Sequence, residues 1–200
     1  NAEIEQHTED QSSDPGEVVD TTWSTSDTTY IWLEGNSASI NGPGAVFENQ
    51  RLTIQNGGQF WLTGTRNEGQ IRVVAPDTSR VRLILNNVEV SHNSDAPLFV
   101  QTSLSTLIYL QENSVNVFSD GLSHTDEESN AAVFSKCDLS VYGAGTLHVT
   151  GHYKDGIASK DGLLLASGIY QINAADDGIR GKDYLIIDQG VYAITSGGDA

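Results

Sequence analysis

Residues 155–161 read Asp-Gly-Ile-Ala-Ser-Lys-Asp, and residues 177–183 read Asp-Gly-Ile-Arg-Gly-Lys-Asp, so the second segment repeats the first 22 residues later. The repetition continues in two further pairs: Leu-Leu-Leu at 163–165 with Leu-Ile-Ile at 185–187, and Gly-Ile-Tyr-Gln-Ile at 168–172 with Gly-Val-Tyr-Ala-Ile at 190–194. A looser copy precedes them, since Val133 stands 24 residues before Ile157. Internal repetition at a short, nearly fixed period is typical of repeat architectures.

Each repeat contains short runs typical of β-strands, separated by Gly, Asn, Asp and Ser, and lacks the apolar period of a helix. A unit of 22 residues is too short for a propeller blade and has no helix for a leucine-rich repeat. We therefore expect an all-β fold, a right-handed parallel β-helix (solenoid) with coils of about 22 residues. Equivalent residues should stack in columns: Val133, Ile157 and Ile179; Leu139, Leu163 and Leu185; Val149, Ile172 and Ile194; and, partly exposed, Leu147, Tyr170 and Tyr192.

Composition limits the partners of this 200-residue chain, which has 27 acidic and 10 basic side chains and a formal net charge of -17. We expect no nucleic-acid binding, because so few cations cannot neutralise a phosphate backbone. No apolar run approaches the roughly 20 residues of a membrane-spanning helix. One cysteine, Cys137, excludes an internal disulfide and a multi-cysteine zinc site.

The acidic residues are unevenly distributed along the chain. Residues 1–28 contain eight of them, no Lys or Arg and few apolar side chains, which predicts a disordered acidic linker. Residues 29–200 should form the β-helix domain, with further C-terminal coils missing. Because the chain lacks methionine altogether, we expect a mature form from which a signal or lipid anchor has been removed.

An ordered set of motifs accompanies the repeats. It comprises Tyr30-Ile31-Trp32-Leu33, Phe60-Trp61-Leu62-Thr63-Gly64-Thr65, Gly69-Gln70-Ile71, residues 81–88, Ala96-Pro97-Leu98, residues 130–136 and the two Asp-Gly-Ile units. In this order the motifs resemble a family of bacterial extracellular carbohydrate-binding domain-containing proteins. The resemblance covers about residues 28–200. Cys137 departs from the pattern, which usually has Asp at that position.

The resemblance implies a right-handed β-helix similar to polysaccharide lyases. It also implies binding of cellulose- and pectin-like polymers together with calcium. We accordingly expect an extracellular or bacterial cell-surface location, a polysaccharide partner and a monomer.

The repeated aspartates suggest a metal site independently of the family. The 22-residue period stacks Asp155, Asp177 and Asp199 in one column and Asp161 and Asp183 in a second, with Asp176 beside the first. Like charges about 5 Å apart repel one another, and a calcium ion between coils would relieve that repulsion with carboxylate ligands. In the alternative, these aspartates only form Asx turns at strand ends.

Lys160 and Lys182 precede the second aspartate column, and they are candidates for sugar binding together with Tyr170 and Tyr192, which we expect to be an exposed pair. A lysine beside calcium could also act as the base of a pectate-type lyase. However, these lysines recur with the whole repeat, whereas a catalytic base is a single residue. Pairing of each lysine with its neighbouring aspartate is the simpler alternative.

Two other features have open interpretations. Trp32 and Trp61 could stack on sugar rings or could cap the N-terminal end of the core. The segment from Ser119 to Asn130, which is too long and polar for a tight corner, could be a binding loop or a plain insertion.

Three functional hypotheses follow. The first is calcium-dependent, non-catalytic binding of plant cell-wall-type polysaccharides. The second is a polysaccharide lyase, and the third is a structural surface spacer or adhesin.

Overall fold

A computed structural model describes residues 24–199 of the chain. The predicted linker, residues 1–28, lies mostly outside this range. Residues Thr25–Asp27 form a short 3-10 helix, with the Ser24 hydroxyl accepting a hydrogen bond from the backbone N–H of Ser26, and the first strand starts at Thr28.

All the long elements of the described range are β-strands. They are β1 (Thr28–Glu34), β2 (Ser37–Asn41), β3 (Ala45–Glu48), β4 (Arg51–Ile54), β5 (Gly58–Asn67), β6 (Gln70–Val74), β7 (Arg80–His92), β8 (Leu98–Thr102), β9 (Ser105–Leu110), β10 (Val115–Asp120), β11 (Ala131–Ser135), β12 (Asp138–Gly143), β13 (Thr146–Gly151), β14 (Asp155–Ser159), β15 (Gly162–Leu165), β16 (Ile169–Ala174), β17 (Ile179–Gly181), β18 (Tyr184–Ile187) and β19 (Val191–Ser196).

The strands form a coil with three faces, and nearly all neighbours are parallel. Face 1 contains β1, the first parts of β5 and β7, β9, β12, β15 and β18. Face 2 contains the second parts of β5 and β7, β10, β13, β16 and β19. Face 3 is a separate sheet of β3, β4, β6, β8, β11, β14 and β17.

Strands β5 and β7 pass from face 1 to face 2 without a break. In β5 the corner lies at Gly64, where the register with β7 shifts. This glycine has φ +99, and a Cβ atom there would lie 2.2 Å from the carbonyl oxygen of Leu33. A side chain is therefore excluded at the corner by both the backbone conformation and the neighbouring coil.

The stacking predicted from the repeats is confirmed. Parallel pairing places Val133 beside Ile157 and Ile157 beside Ile179. The other three columns are also in the predicted register: Leu139, Leu163 and Leu185; Val149, Ile172 and Ile194; and Leu147, Tyr170 and Tyr192. The fold is thus all-β and solenoid-like, and the right-handed sense of the coil stays a prediction.

One continuous apolar core runs through the middle of the coils, filled by side chains from the inner sides of all three faces. At the N-terminal end, β2 pairs antiparallel with β1 and β3 pairs antiparallel with β4. Ile40 of β2 and Phe47 of β3 pack against the core there. These two short strands cover the first coil, so Trp32 and Trp61 are not needed to cap it.

Candidate functional site

The outer side of face 1 carries a series of aromatic side chains. Alternation along each strand explains it, because neighbours of core residues point outward. Ile31, Phe60, Leu62, Ile108, Leu110 and Val141 lie in the core, and the residues between or beside them are Tyr30, Trp61, Tyr109 and Tyr142. None of these four rings belongs to the core.

The pairing register aligns these residues in one line across the strands. Tyr30 pairs with Trp61, Trp61 with Ile84, Ile84 with Tyr109, and Tyr109 with Tyr142. We call Tyr30, Trp61, Tyr109 and Tyr142 the aromatic row. Five strands spaced by about 4.8 Å give the row a length of about 19 Å.

Ring contacts within the row are close. The centroids of Tyr30 and Trp61 lie 5.8 Å apart, and those of Tyr109 and Tyr142 lie 5.7 Å apart. Trp32, which is 38% exposed, stacks beside Tyr30 with centroids 6.2 Å apart. The row thus presents partly exposed rings on the outer surface of the sheet. Trp32 and Trp61 therefore do not cap the core, and sugar stacking by them stays a prediction.

The expectation of an exposed Tyr170 and Tyr192 pair is wrong. Tyr170 is fully buried in the core, and Tyr192 is partly buried against it. Their rings stack in parallel with centroids 4.7 Å apart, and the Tyr170 hydroxyl donates to the Ser167 carbonyl at 2.7 Å. The physical reason is alternation: Tyr170 precedes the core residue Ile172 by two positions and therefore points to the same side.

The outer side of face 3 has a different chemistry. Arg72, Phe99, Phe134, Ala158 and Arg180 are successive partners in its parallel register. Lys136 and Lys160 come two residues after Phe134 and Ala158, and Lys182 comes two residues after Arg180. We call Arg72, Lys136, Lys160, Arg180 and Lys182 the basic row, which holds five of the ten basic residues of this acidic chain.

Cations of the basic row lie over buried rings. The guanidinium of Arg72 is 4.7 Å and the ammonium of Lys136 is 5.7 Å from the centroid of Phe99. The ammonium of Lys160 is 5.8 Å from the centroid of Phe134. Both rings are almost completely buried although they point away from the core. These cations therefore cover an apolar layer with their side chains while their charged groups face the solvent.

The first aspartate column is held by protein groups. Asp177 donates its backbone N–H to the Asp155 carboxylate at 3.4 Å, and Asp199 donates its own to the Asp177 carboxylate at 3.0 Å. The Asn130 amide donates to Asp155 at 2.6 Å, and Arg180 lies 3.6 Å from Asp155 and 3.8 Å from Asp177. Arg180 therefore places a cation beside both carboxylates, and a calcium ion at this level stays a prediction.

Asp155 is completely buried, and burial raises the pKa of its carboxyl to about 6 despite the hydrogen bond from Asp177 and the charge of Arg180. The Asp199 and Asp176 side chains lie at the exposed surface beside this column. Asp155 and Asp177 thus link successive coils by accepting backbone N–H groups of the next coil, and calcium ligation by this column stays a prediction.

The second column, Asp161 and Asp183, extends to Asp138 and lacks such a partner. Asp138 accepts hydrogen bonds from the Gly162 N–H at 3.0 Å and the Tyr184 hydroxyl at 3.4 Å. Burial, followed by the charges of Asp138 and Asp183, raises the pKa of Asp161. Within residues 24–199, no salt bridge joins a lysine or arginine to these three carboxylates.

A ready-made metal shell is not evident in the described part of the chain. Across residues 24–199, no group of three or more His, Cys, Asp or Glu side chains is arranged to hold an ion. A calcium ion at the second column would therefore need backbone carbonyls and water in addition to two carboxylates.

Sequence reasoning missed Tyr30, Tyr109 and Tyr142. The available signal was a ring next to core residues in successive strands, but loops of different length separate these strands, so the shared register appears only in the structure. No helix within the described residues is long and apolar enough to span a membrane.

Comparison with known proteins agrees with this architecture. A curated relative, a carbohydrate-binding domain-containing protein of Acetivibrio thermocellus, is 26% identical over 139 residues, 67% of this chain. The match spans about half of that relative, 49% of its length. A solved structure, the gadolinium derivative of a polysaccharide lyase-like protein from C. thermocellum, aligns with a TM-score of 0.76 at 21% identity, covering 84% of this chain and 82% of that one.

A family model also matches the greater part of the chain. The model is described as "Carbohydrate-binding domain-containing protein" and covers residues 48–200, most of the chain and all coils after the first. The strands from β4 onward and both rows except Tyr30 fall within that range. The chain therefore belongs to the family of carbohydrate-binding domain-containing proteins.

Proposed function

We propose that this protein binds a neutral, cellulose-like polysaccharide through the aromatic row without turning it over. The carrying observation is the line of four rings on one flat face, in register over five strands. The C–H faces of pyranose rings pack on aromatic faces, whose negative quadrupole favours them. A row of about 19 Å offers room for several consecutive sugar units.

Charge supports a neutral ligand on face 1. The chain carries a net charge of -17, which repels a polyanion at long range, whereas an uncharged glucan meets no such barrier. Trp32 and Trp61 extend the flat surface on the first two strands of the face.

A second ligand class, acidic pectin-like polymers, is favoured by the basic row. Lys160 and Lys182, proposed from sequence as sugar-binding residues, lie in this row with Arg72, Lys136 and Arg180. Lysine and arginine side chains at successive coils match the repeated carboxylates of such a polymer. The two rows therefore suggest two ligand classes on two faces.

Calcium is proposed at the second aspartate column. Asp161 and Asp183 stack without a basic partner among the described residues, and their mutual repulsion would fall if an ion bound between coils. This narrows the set named from sequence, because the Asp155 and Asp177 carboxylates already have peptide N–H groups and Arg180 as partners. Asp199, which is exposed at the end of the column, stays a candidate ligand. Asp176, which is exposed beside the first column, stays a candidate calcium ligand.

The lyase alternative has less support. The Lys160 ammonium lies over the Phe134 ring, and a lysine follows the same strand position in three coils, which suits a surface row better than a single base. We further propose a right-handed coil, a monomer, and an extracellular or cell-surface location for the protein.

The test is affinity for insoluble cellulose and soluble glucans by pull-down and calorimetry. Trp61→Ala and Tyr109→Ala should each weaken binding about tenfold or more, the value of burying one aromatic side chain. Leu122→Ala removes an apolar side chain that is 82% exposed and should leave binding unchanged. Unaltered binding in both aromatic variants would refute the aromatic row, and no binding by the wild type would favour a spacer.

A further inference from the structure

The connection between β10 and β11 is a ten-residue loop, residues 121–130, whereas residues 152–154 make the same connection one coil later. The loop is attached by its backbone and side chains to residues 93–97, which connect β7 to face 3. Thr125 donates its N–H to the Ser94 carbonyl at 2.9 Å and its hydroxyl to Asp95 at 3.0 Å. The loop is therefore a packed element and not a free excursion of the chain.

The loop carries three consecutive acidic residues beside the basic row. Glu128 forms a salt bridge with Lys136. Asp126 and Asp95 lie close enough to Arg72 for their charges to oppose the lowering of its pKa by burial. Glu128 thus occupies the position on Lys136 that a carboxylate of an acidic polymer would take, and Asp126 lies near Arg72.

A buried histidine closes the base of the loop. The side chains of His124 and of Asp120 are completely buried, and His124 Nε2 lies 2.9 Å from Asp120 Oδ2. His124 Nδ1 faces the carbonyl oxygen of Ser129. The ring also stacks on Tyr153 with centroids 4.6 Å apart.

The two ring nitrogens of His124 face oxygen atoms of the Asp120 carboxyl group and of the Ser129 carbonyl. Two N–H donors on the ring satisfy both oxygens, so this geometry favours the imidazolium form. After loss of one proton, a nitrogen lone pair would point at one of the two acceptors. The Ser129 hydroxyl, 3.3 Å from Nδ1, is the single alternative donor nearby.

The surrounding charges favour the imidazolium. Burial alone lowers the pKa of His124, but the hydrogen bonds to Asp120 and Ser129 and the charges of Asp120 and Asp95 raise it overall. The other titratable groups near this cluster include Tyr153, whose ring stacks on His124, His92, whose pKa burial lowers, and His152, whose backbone N–H donates to Asp120 and whose Nδ1 lies 3.8 Å from it. None of these groups replaces the N–H that His124 loses on deprotonation.

We propose that the acidic loop 121–130 is an intramolecular competitor for the basic row, held in place by doubly protonated His124 and displaced by a carboxylated polysaccharide. This rests on the basic row as the second ligand site proposed above. A group whose pKa is raised on folding contributes its stabilisation below its unfolded pKa and loses it as pH rises through the folded pKa. The loop should consequently hold below the ordinary histidine pKa of about 6.5 and loosen as the pH rises above it.

The test uses the full chain and polygalacturonate at constant ionic strength, at pH 6 and pH 9. Replacing the competing charges by Asp126→Asn, Glu127→Gln and Glu128→Gln together should strengthen binding about threefold to tenfold at pH 6. His124→Gln should bind equally at both pH values, near the wild-type affinity at pH 9. Unchanged affinity in the triple variant would overturn the proposal.

Two measurements report on the loop without any polysaccharide. Nitrogen NMR of the His124 ring should show both nitrogens protonated at pH 6.5. A neutral ring would overturn the role of doubly protonated His124 in holding the loop. Amide exchange in residues 121–130 should be faster in His124→Gln than in the wild type at one pH, with the exchange of β13 unchanged as the control for folding.

The remaining outcomes separate this proposal from the proposed function. Failure of both wild type and triple variant to bind polygalacturonate would overturn the competitor and the basic row, while cellulose binding by the aromatic row would stand. Equal strengthening toward double-stranded DNA in the triple variant would show that the loop excludes polyanions in general, which contradicts a specific carboxylated ligand.

Discussion

Faces 1 and 3 have the same backbone architecture but use their outward aromatic side chains in opposite ways. On face 1 the rings of Trp61, Tyr109 and Tyr142 remain partly exposed. On face 3 the rings of Phe99 and Phe134 are buried beneath cations of the basic row. An aromatic side chain at an outward position is thus a binding surface on one face and a structural layer on the other, and the difference lies in what covers it.

The largest expected effect concerns stability. Phe134→Ala should lower the free energy of unfolding by about 3–5 kcal/mol, because it removes a fully buried ring and leaves a cavity. Tyr142→Ala, the matched change on face 1, should cost about 1 kcal/mol, because its ring is partly exposed. Urea denaturation measures both, and equal losses would erase the contrast between the two faces.

Charge at the edge of face 3 should make stability depend on pH. The pKa of Asp155 is raised to about 6 in the folded chain, so the native state binds more protons than the unfolded one between about pH 4 and 6. Stability should fall over this window as pH rises, by about 3 kcal/mol in total.

Asp155→Asn removes that titration, so the variant should gain about 3 kcal/mol relative to the wild type between pH 4 and pH 7.5. Denaturation at both pH values in EGTA measures the difference. A constant difference between the two proteins would mean that Asp155 titrates normally.

Calcium should act on the second aspartate column. At a hundredfold excess over its dissociation constant, the ion would stabilise the fold by about 2.7 kcal/mol and raise Tm by several degrees. Asp161→Asn should abolish this shift, whereas Asp177→Asn should retain it because Asp177 is paired with Arg180. The opposite pattern in a thermal melt with and without EGTA would return the ion to the first column.

The smallest effect separates the ligands of the two rows. Lys160→Gln should weaken polygalacturonate binding about threefold and leave cellulose binding unchanged. Lys154→Gln is the control, because Lys154 lies over Tyr153 and outside the basic row. Added salt should weaken the acidic ligand and spare the neutral one, and a parallel loss of both would indicate one shared site.

The repeat predicted the stacking of coils well because a fixed period in sequence becomes a fixed register in a parallel sheet. The columns through Ile157, Leu163 and Ile172 all appear as expected. The burial of Tyr170 was also predictable from sequence. It follows from the two-residue alternation that places Tyr170 on the same side of the strand as Ile172, and not from the 22-residue offset.

The candidate site was harder to predict for two physical reasons. The aromatic row joins strands separated by loops of unequal length, so no constant offset relates Trp61, Tyr109 and Tyr142. The role of Arg180 depends on a single change between repeats, from Ala158 to arginine, which places a cation three residues after Asp177. Coils differ in function at the positions where their sequences differ. An argument from the repeat period alone does not use those differences.

The antiparallel strands at the N-terminal end of the coil stack also restrict where duplicated coils can be added. Because β2 turns back along β1, a duplicated coil inserted before β1 would find its pairing edge already taken. New coils can be accommodated between existing ones or beyond the opposite end, and the two most similar repeats, residues 155–176 and 177–198, lie far from the covered end. Each added coil like these two would lengthen the basic row by one strand spacing, about 4.8 Å, so a longer reach along an acidic ligand would follow directly from gene duplication.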